Sequence, residues 1–208
     1  MRTFHAVALV CLCAGGAQAQ DQPITAAERA FLAGHLERTL GVFDAAVKGV
    51  SEAQSKFKES PERWSILEVA EHIAATEDFL FGYATRAILK SPAQAELAAR
   101  TPAQIKAGDE GMLIAVVDRS KKAQAPEPAK PTGRYATLAA AANALHEKRA
   151  KVIEYVKTTQ DGLRSHGAAG PSGQVSDVYQ YLLMIAAHTE RHVLQMNQVK
   201  ADAAYPAR

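Results

Sequence analysis

Apolar residues recur every three or four positions along most of this chain, and strand-like alternation is nearly absent. The pattern predicts four long helices. The first begins at Thr25, where Glu28 three residues on completes a capping box, and Phe31, Leu32, Leu36, Leu40, Phe43 and Val47 form its apolar stripe, with Gly49 near its end. The second begins at Ser65, with Glu68 as the box partner and Trp64 placed to pack on Val69 as a hydrophobic staple. Ile66, Val69, Ile73, Thr76, Leu80 and Tyr83 continue it until Ser91-Pro92. The third runs from about Tyr135 to Thr158, with Leu138, Ala142, Leu145, Val152, Tyr155 and Val156 inward. The fourth follows the Gly-rich GAAGPSG segment, with Ser176 as its expected cap.

Residues 91–133 break the pattern. Pro92, Pro102, Pro126, Pro128 and Pro131 punctuate them, together with Gly108, Gly111 and Gly133. Met112 to Val117 is expected as a short helix, and AQAPEPAKPTG as extended chain. A connection this long can cross the length of a bundle and join two helices that run in the same direction. The fold expected is therefore an all-α four-helix bundle with a long crossover, residues 91–133, between the second and third helices.

Histidines change the picture. His188 and His192 stand four apart in YLLMIAAHTERHVLQMNQV and share the core-facing stripe. A histidine in such a place is ordinarily a hydrogen-bonded core residue. Two together would each need a buried partner, a demand that one shared metal ion removes. His72, beside the core stripe of the second helix, can reach the same interior. Three neutral imidazoles suit zinc, nickel, cobalt or ferrous iron, and leave a coordination position open for water.

Other polar residues read more plainly. Glu68 has a capping role, Glu71 and Glu77 read as solvated helical glutamates, and Glu190 points away from its neighbouring histidines. Gln195, two turns past His188, is a candidate to support a ligand from behind. Arg191 reads as a surface or interhelical ion-pairing residue. His35 is a candidate for the same interior, whereas His146 and His166 read as surface residues. No nucleophile-elbow motif accompanies the serines.

RWSILEVAEHIAATE resembles the second-helix signature of the DinB-like superfamily, which includes the YfiT-like metal-dependent hydrolases. AAHTERHVLQMNQVK resembles its fourth-helix signature, and AERAFLAGHLERTL its first helix. The resemblance implies a four-helix bundle with a crossover between its second and third helices. It also implies one divalent metal ion, zinc or nickel foremost, held by His72, His188 and His192. It does not fix a reaction. Some relatives transfer groups with low-molecular-weight thiols, others are called hydrolases by analogy, and fold alone does not set function. The expectation is a metal-dependent hydrolase or transferase acting on a small molecule through a metal-bound water. The alternatives are a metal- or small-ligand-binding protein without turnover, and a purely structural bundle with polar core histidines. No catalytic residue beyond the ligands is assigned.

Composition sets the surroundings. Arg2, the apolar run Ala6–Ala14 and Ala17-Gln18-Ala19 read as a signal peptide cleaved after Ala19, leaving residues 20–208 as one domain in the periplasm or outside the cell. Both cysteines, Cys11 and Cys13, fall in the removed part, so the mature chain has no thiol for disulfide, nucleophile or metal. Export argues against a role with a thiol cosubstrate, since such thiols are chiefly cytoplasmic. Neither cysteine has the small preceding residue of a lipid-anchor site, and no later run is long and apolar enough to span a membrane. A formal charge of +2, with basic residues dispersed among acids, argues against nucleic acid as a partner. A homodimer is compatible with the pattern.

Overall fold

Thr25, Ser65, Thr137 and Asp177 start the four bundle helices in the same way. Each side chain accepts a hydrogen bond from the amide three residues on, at 3.2, 3.2, 3.2 and 2.7 Å. Each such cap contributes about 1 kcal/mol. The computed structural model describes residues 21–120, 122, 124–170 and 173–207; the expected signal segment, residues 1–19, lies outside them. In chain order the helices are α1 (Ala26–Val47), α2 (Glu52–Lys56), α3 (Ile66–Gly82), α4 (Ala95–Ala98), α5 (Pro102–Val117), α6 (Leu138–Thr158) and α7 (Val178–Lys200). A two-stranded antiparallel hairpin, β1 (Gly167–Ala169) with β2 (Val175–Asp177), precedes α7.

The bundle consists of α1, α3, α6 and α7, and two apolar clusters fix its directions. One gathers Leu32 of α1, Leu80 of α3, Val152 and Val156 of α6, and Leu182 and Ile185 of α7. The other gathers Phe43 of α1, Ile66 and Ile73 of α3, Ala141 and Leu145 of α6, and Val193 and Met196 of α7. The first half of α1 thus meets the first half of α7 and the second halves of α3 and α6. So α1 and α7 run parallel, α3 and α6 run parallel, and the two pairs oppose each other. The expected crossover between parallel second and third bundle helices is what the chain adopts. Among the described residues no helix is long and apolar enough to cross a membrane.

Several local expectations are corrected. The crossover carries a full helix, α5, where only Met112–Val117 was expected to be helical. Thr101 and Gln104 cap it, Pro102 sits in its first turn where a missing N–H costs nothing, and it runs through Gly108 and Gly111 to pack on the outer side of α7. At Gly108 the two helices approach closely: a Cβ there would lie 2.6 Å from the Gln180 amide nitrogen. A 3₁₀ turn, Glu127–Ala129, interrupts the expected extended segment. Asp177, not Ser176, caps α7, because Ser176 is paired with Ala168 in the hairpin. Downstream of α3 the chain stays coiled through a π turn, Tyr83–Ala87, and a 3₁₀ turn, Ile88–Lys90, and leaves the helix at Ser91 before Pro92.

Candidate metal centre

Antiparallel packing of α3 against α7 sets the early turns of α3 beside the later half of α7. His72 therefore faces His188 and His192. Its Nε2 lies 3.1 Å from Nε2 of His188 and 3.1 Å from Nε2 of His192. One ligand atom from each of the three lies within 4.8 Å of the others. Two donors held about 2.0–2.1 Å from a zinc-sized ion, at angles near 100–110°, would themselves be about 3.1–3.4 Å apart. The observed separations fit that spacing.

The far sides of the rings decide the proton positions. His72 Nδ1 lies 2.7 Å from the Ala129 carbonyl oxygen, which can only accept. That assigns the proton to Nδ1 and leaves a lone pair on Nε2. His192 Nδ1 lies 2.9 Å from Gln195 Oε1 and is assigned the same way. Two Nε2 lone pairs then meet at 3.1 Å with no hydrogen between them. A cation removes that repulsion, and the backing acceptors orient the rings for it. Gln195 is the expected supporting residue, but it serves His192, one turn away, rather than His188.

The cluster is held neutral. His72 and His192 are 3% and 8% exposed, and His188 keeps partial exposure. Burial holds His192 down to about 3, with the His72 imidazole adding to the effect. Burial also lowers His72, and it carries His188 well below the ordinary imidazole value, helped by His192, His72, Arg191 and Arg149. Neutral imidazole is the form that binds metal.

Trp64 does more than staple the helix start. Its ring lies 4.8 Å from that of His72 and 6.4 Å from that of His192, centre to centre. The other candidates disperse. His35 touches Phe31 and lines a groove with Arg38, Leu113, Ile114, Val117, Asp118 and Glu190 instead of joining the cluster. Glu190 pairs with Arg38 at 2.8 Å, turned from the histidines as expected. Glu68 caps α3 and pairs with Lys58. Arg191 donates to the carbonyls of Val116 and Asp118 and so ties α5's end to α7. His146 is on the surface beside Asp44, as expected. His166 is not: it is buried, with Nδ1 2.7 Å from the Ser91 carbonyl and Nε2 3.0 Å from the Asp21 carboxylate.

Glu71 and Glu77 are not solvated either. They are 1% and 2% exposed. Glu77 meets Arg149, which is fully buried and also reaches Leu36 O, Thr39 Oγ1 and Thr189 Oγ1. That network joins all four bundle helices and abuts the turn of α7 that carries His188. Glu71 accepts hydrogen bonds from residues 132–134 of the crossover. Both carboxylates are thus turned from the histidines and committed elsewhere.

Residues 35–196 match the family model of the DinB superfamily, and this span includes all three histidines. Among solved structures, YfiT from Bacillus subtilis is similar in fold, with a TM-score of 0.55 over 85% of this chain and 88% of that one, at 14% identity. That protein is described as a probable metal-dependent hydrolase with an unusual four-helix bundle topology. No curated protein matches. With its parallel-paired bundle, its crossover and a family match over most of its length, the chain belongs to the DinB superfamily.

Proposed function

We propose that this protein is an exported metal-dependent hydrolase or transferase acting on a small molecule, with His72, His188 and His192 as the ligands of one divalent transition metal ion. One observation carries the reading: Nε2 of His72 and Nε2 of His192, in rings whose Nδ1 atoms each face an acceptor, lie 3.1 Å apart. A hydrogen-bonded polar core would place a donor there. The ion would supply a Lewis acid that polarises a substrate oxygen and makes water a nucleophile at neutral pH. The chain's own residues hold the three donors neutral, fix the tautomers of His72 and His192 and leave His188 the most accessible.

The helix face that carries His72 bears on the substrate. Thr76, Phe79 and Tyr83 follow His72 at helical spacing, on one face of the helical stretch. Phe79 and Tyr83 are 37% and 38% exposed, and Tyr83 meets Tyr181 edge-on at 5.6 Å, one face along α7 from His188. Such a surface favours a substrate that carries an apolar or aromatic portion. The signal peptide read at residues 1–19 supports export.

The test is metal analysis of untagged protein, followed by assay with aryl esters, amides and phosphates. About one zinc or nickel per chain, with turnover lost in His192→Ala, is the expected result. Bound metal with no turnover on any of these would favour a metal- or ligand-binding protein. Absence of metal after reconstitution would leave a structural bundle. For export, intact mass of protein from the native envelope is expected to begin at Gln20.

A further inference from the structure

Among the described residues, Glu71 is the one buried carboxylate adjacent in sequence to a candidate ligand, and it holds chain rather than ion. Oε1 accepts from the amide of Thr132 at 2.6 Å and from the Arg134 guanidinium at 3.1 Å. Oε2 accepts from the amides of Gly133 and Arg134, both at 3.1 Å. Three successive amides converge on one carboxylate, an arrangement that Gly133 permits by its φ of +78°. Arg134 then turns back to the carbonyls of Lys130 and Pro128, at 3.0 and 3.2 Å. The end of the crossover is thereby closed into a compact loop fastened to α3.

That loop carries Ala129, fully buried, whose carbonyl oxygen accepts a hydrogen bond from His72 Nδ1 at 2.7 Å. Successive residues of α3, Glu71 and His72, thus hold two points of one loop. Glu71 fixes its position, and the fixed carbonyl sets the tautomer and angle of His72. We propose that Glu71 is a positioning residue for the metal centre, which couples docking of the crossover to metal affinity. The proposal rests on the metal reading given above.

Coupling of this kind is reciprocal. If the latch strengthens metal binding, metal must strengthen the latch by the same factor. Glu71→Gln keeps the shape of the side chain but replaces one acceptor oxygen by an NH₂ that faces N–H donors. It also removes the charge that strengthens every bond to it.

The experiment titrates full-length mature chains with Zn²⁺ and Co²⁺ against a chromophoric chelator, and follows tryptic cleavage at the exposed Lys122 with and without Zn²⁺. In Glu71→Gln, affinity is expected to fall about 10-fold or more, within the range seen when groups behind a ligand are lost. Zn²⁺ is expected to slow cleavage at Lys122 in the natural chain and much less in the variant. Arg134→Ala, which leaves the carboxylate in place, is expected to shift both readouts the same way by less. Arg100→Ala, which breaks an ion pair with Asp177 at the other end of the bundle, serves as the stability control and is expected to leave affinity unchanged. If the natural chain binds neither ion, the metal reading falls and the latch with it. If it binds, and folded Glu71→Gln and Arg134→Ala bind equally well with unchanged protection at Lys122, the latch alone is overturned.

Discussion

Arg149 grips Glu77 with two parallel hydrogen bonds in the centre of the bundle, Nε to Oε1 at 2.5 Å and the terminal nitrogen to Oε2 at 2.8 Å. Arg149 is fully buried and Glu77 is 2% exposed. Burial pushes the Glu77 carboxyl up, and the guanidinium opposes it. The remaining Arg149 donors end on Leu36 O, Thr39 Oγ1 and Thr189 Oγ1, so the charge is well satisfied.

The pair's net contribution to stability is a separate matter from the cost of breaking it. Arg149→Met strands a carboxylate in the core and is expected to cost about 3–5 kcal/mol. Arg149→Met with Glu77→Leu removes both charges and is expected to recover a large part of that loss. Urea unfolding at pH 7 checks both; equal stability of the single and double variants would contradict the account.

Gln195 offers a smaller test on the site itself. Its Oε1, 2.9 Å from His192 Nδ1, is the acceptor that leaves Nε2 unprotonated. Gln195→Leu keeps the volume and removes the acceptor. Zinc affinity is expected to drop about 10–100-fold. The helical content, measured by circular dichroism, should not change.

What the sequence shows and hides follows from the range of each interaction. The caps at Thr25 and Ser65 are settled within four residues, so they are legible. The His188–His192 pair is legible because one helical turn sets it, and His72 stands out only with the family signature beside it. Arg149 lies in LHEKRAKV, indistinguishable from a solvated charged face. Its partners Glu77, Thr39 and Thr189 are each dozens of residues away, and only the assembled bundle brings them together. Glu71 is hidden for the same reason, its donors lying more than 60 positions downstream. Gly108 and Gly111 look like breakers and so hide helix α5, which gets its support from packing on α7.

Acid should weaken the metal-free chain before most of its carboxylates titrate. An unfolded imidazole titrates at about 6.5. Folding holds His192 down to about 3 and also lowers His72 and His188. Below about pH 6.5 the unfolded chain therefore binds protons that the folded chain refuses, and stability falls as pH falls. The histidines' effect is absent above that value and grows down to about pH 3, where His192 protonates in the folded chain too. Each histidine contributes a slope of at most about 1.4 kcal/mol per pH unit. Unfolding in chelator at pH 7, 6 and 5 is expected to show the decline, and His192→Gln to flatten it. Parallel curves for the two chains would refute the assignment.

Trp64 turns the site into its own reporter, being the chain's single tryptophan and lying 4.8 Å from the His72 ring. An ion held by the three histidines would sit beside the indole. Co²⁺, which absorbs and is paramagnetic, is expected to quench the emission of the whole protein. Zn²⁺ lacks both properties, so adding it should displace Co²⁺ and restore the light. His188→Ala is expected to move the quenching to much higher Co²⁺, because two donors remain where three converged. His146→Ala should not move it, since that ring lies on the surface against Asp44. Quenching of equal midpoint in His188→Ala and His146→Ala would show that the ion binds elsewhere on the chain. Quenching that follows only the site variant would tie the metal to the place where α3 and α7 cross.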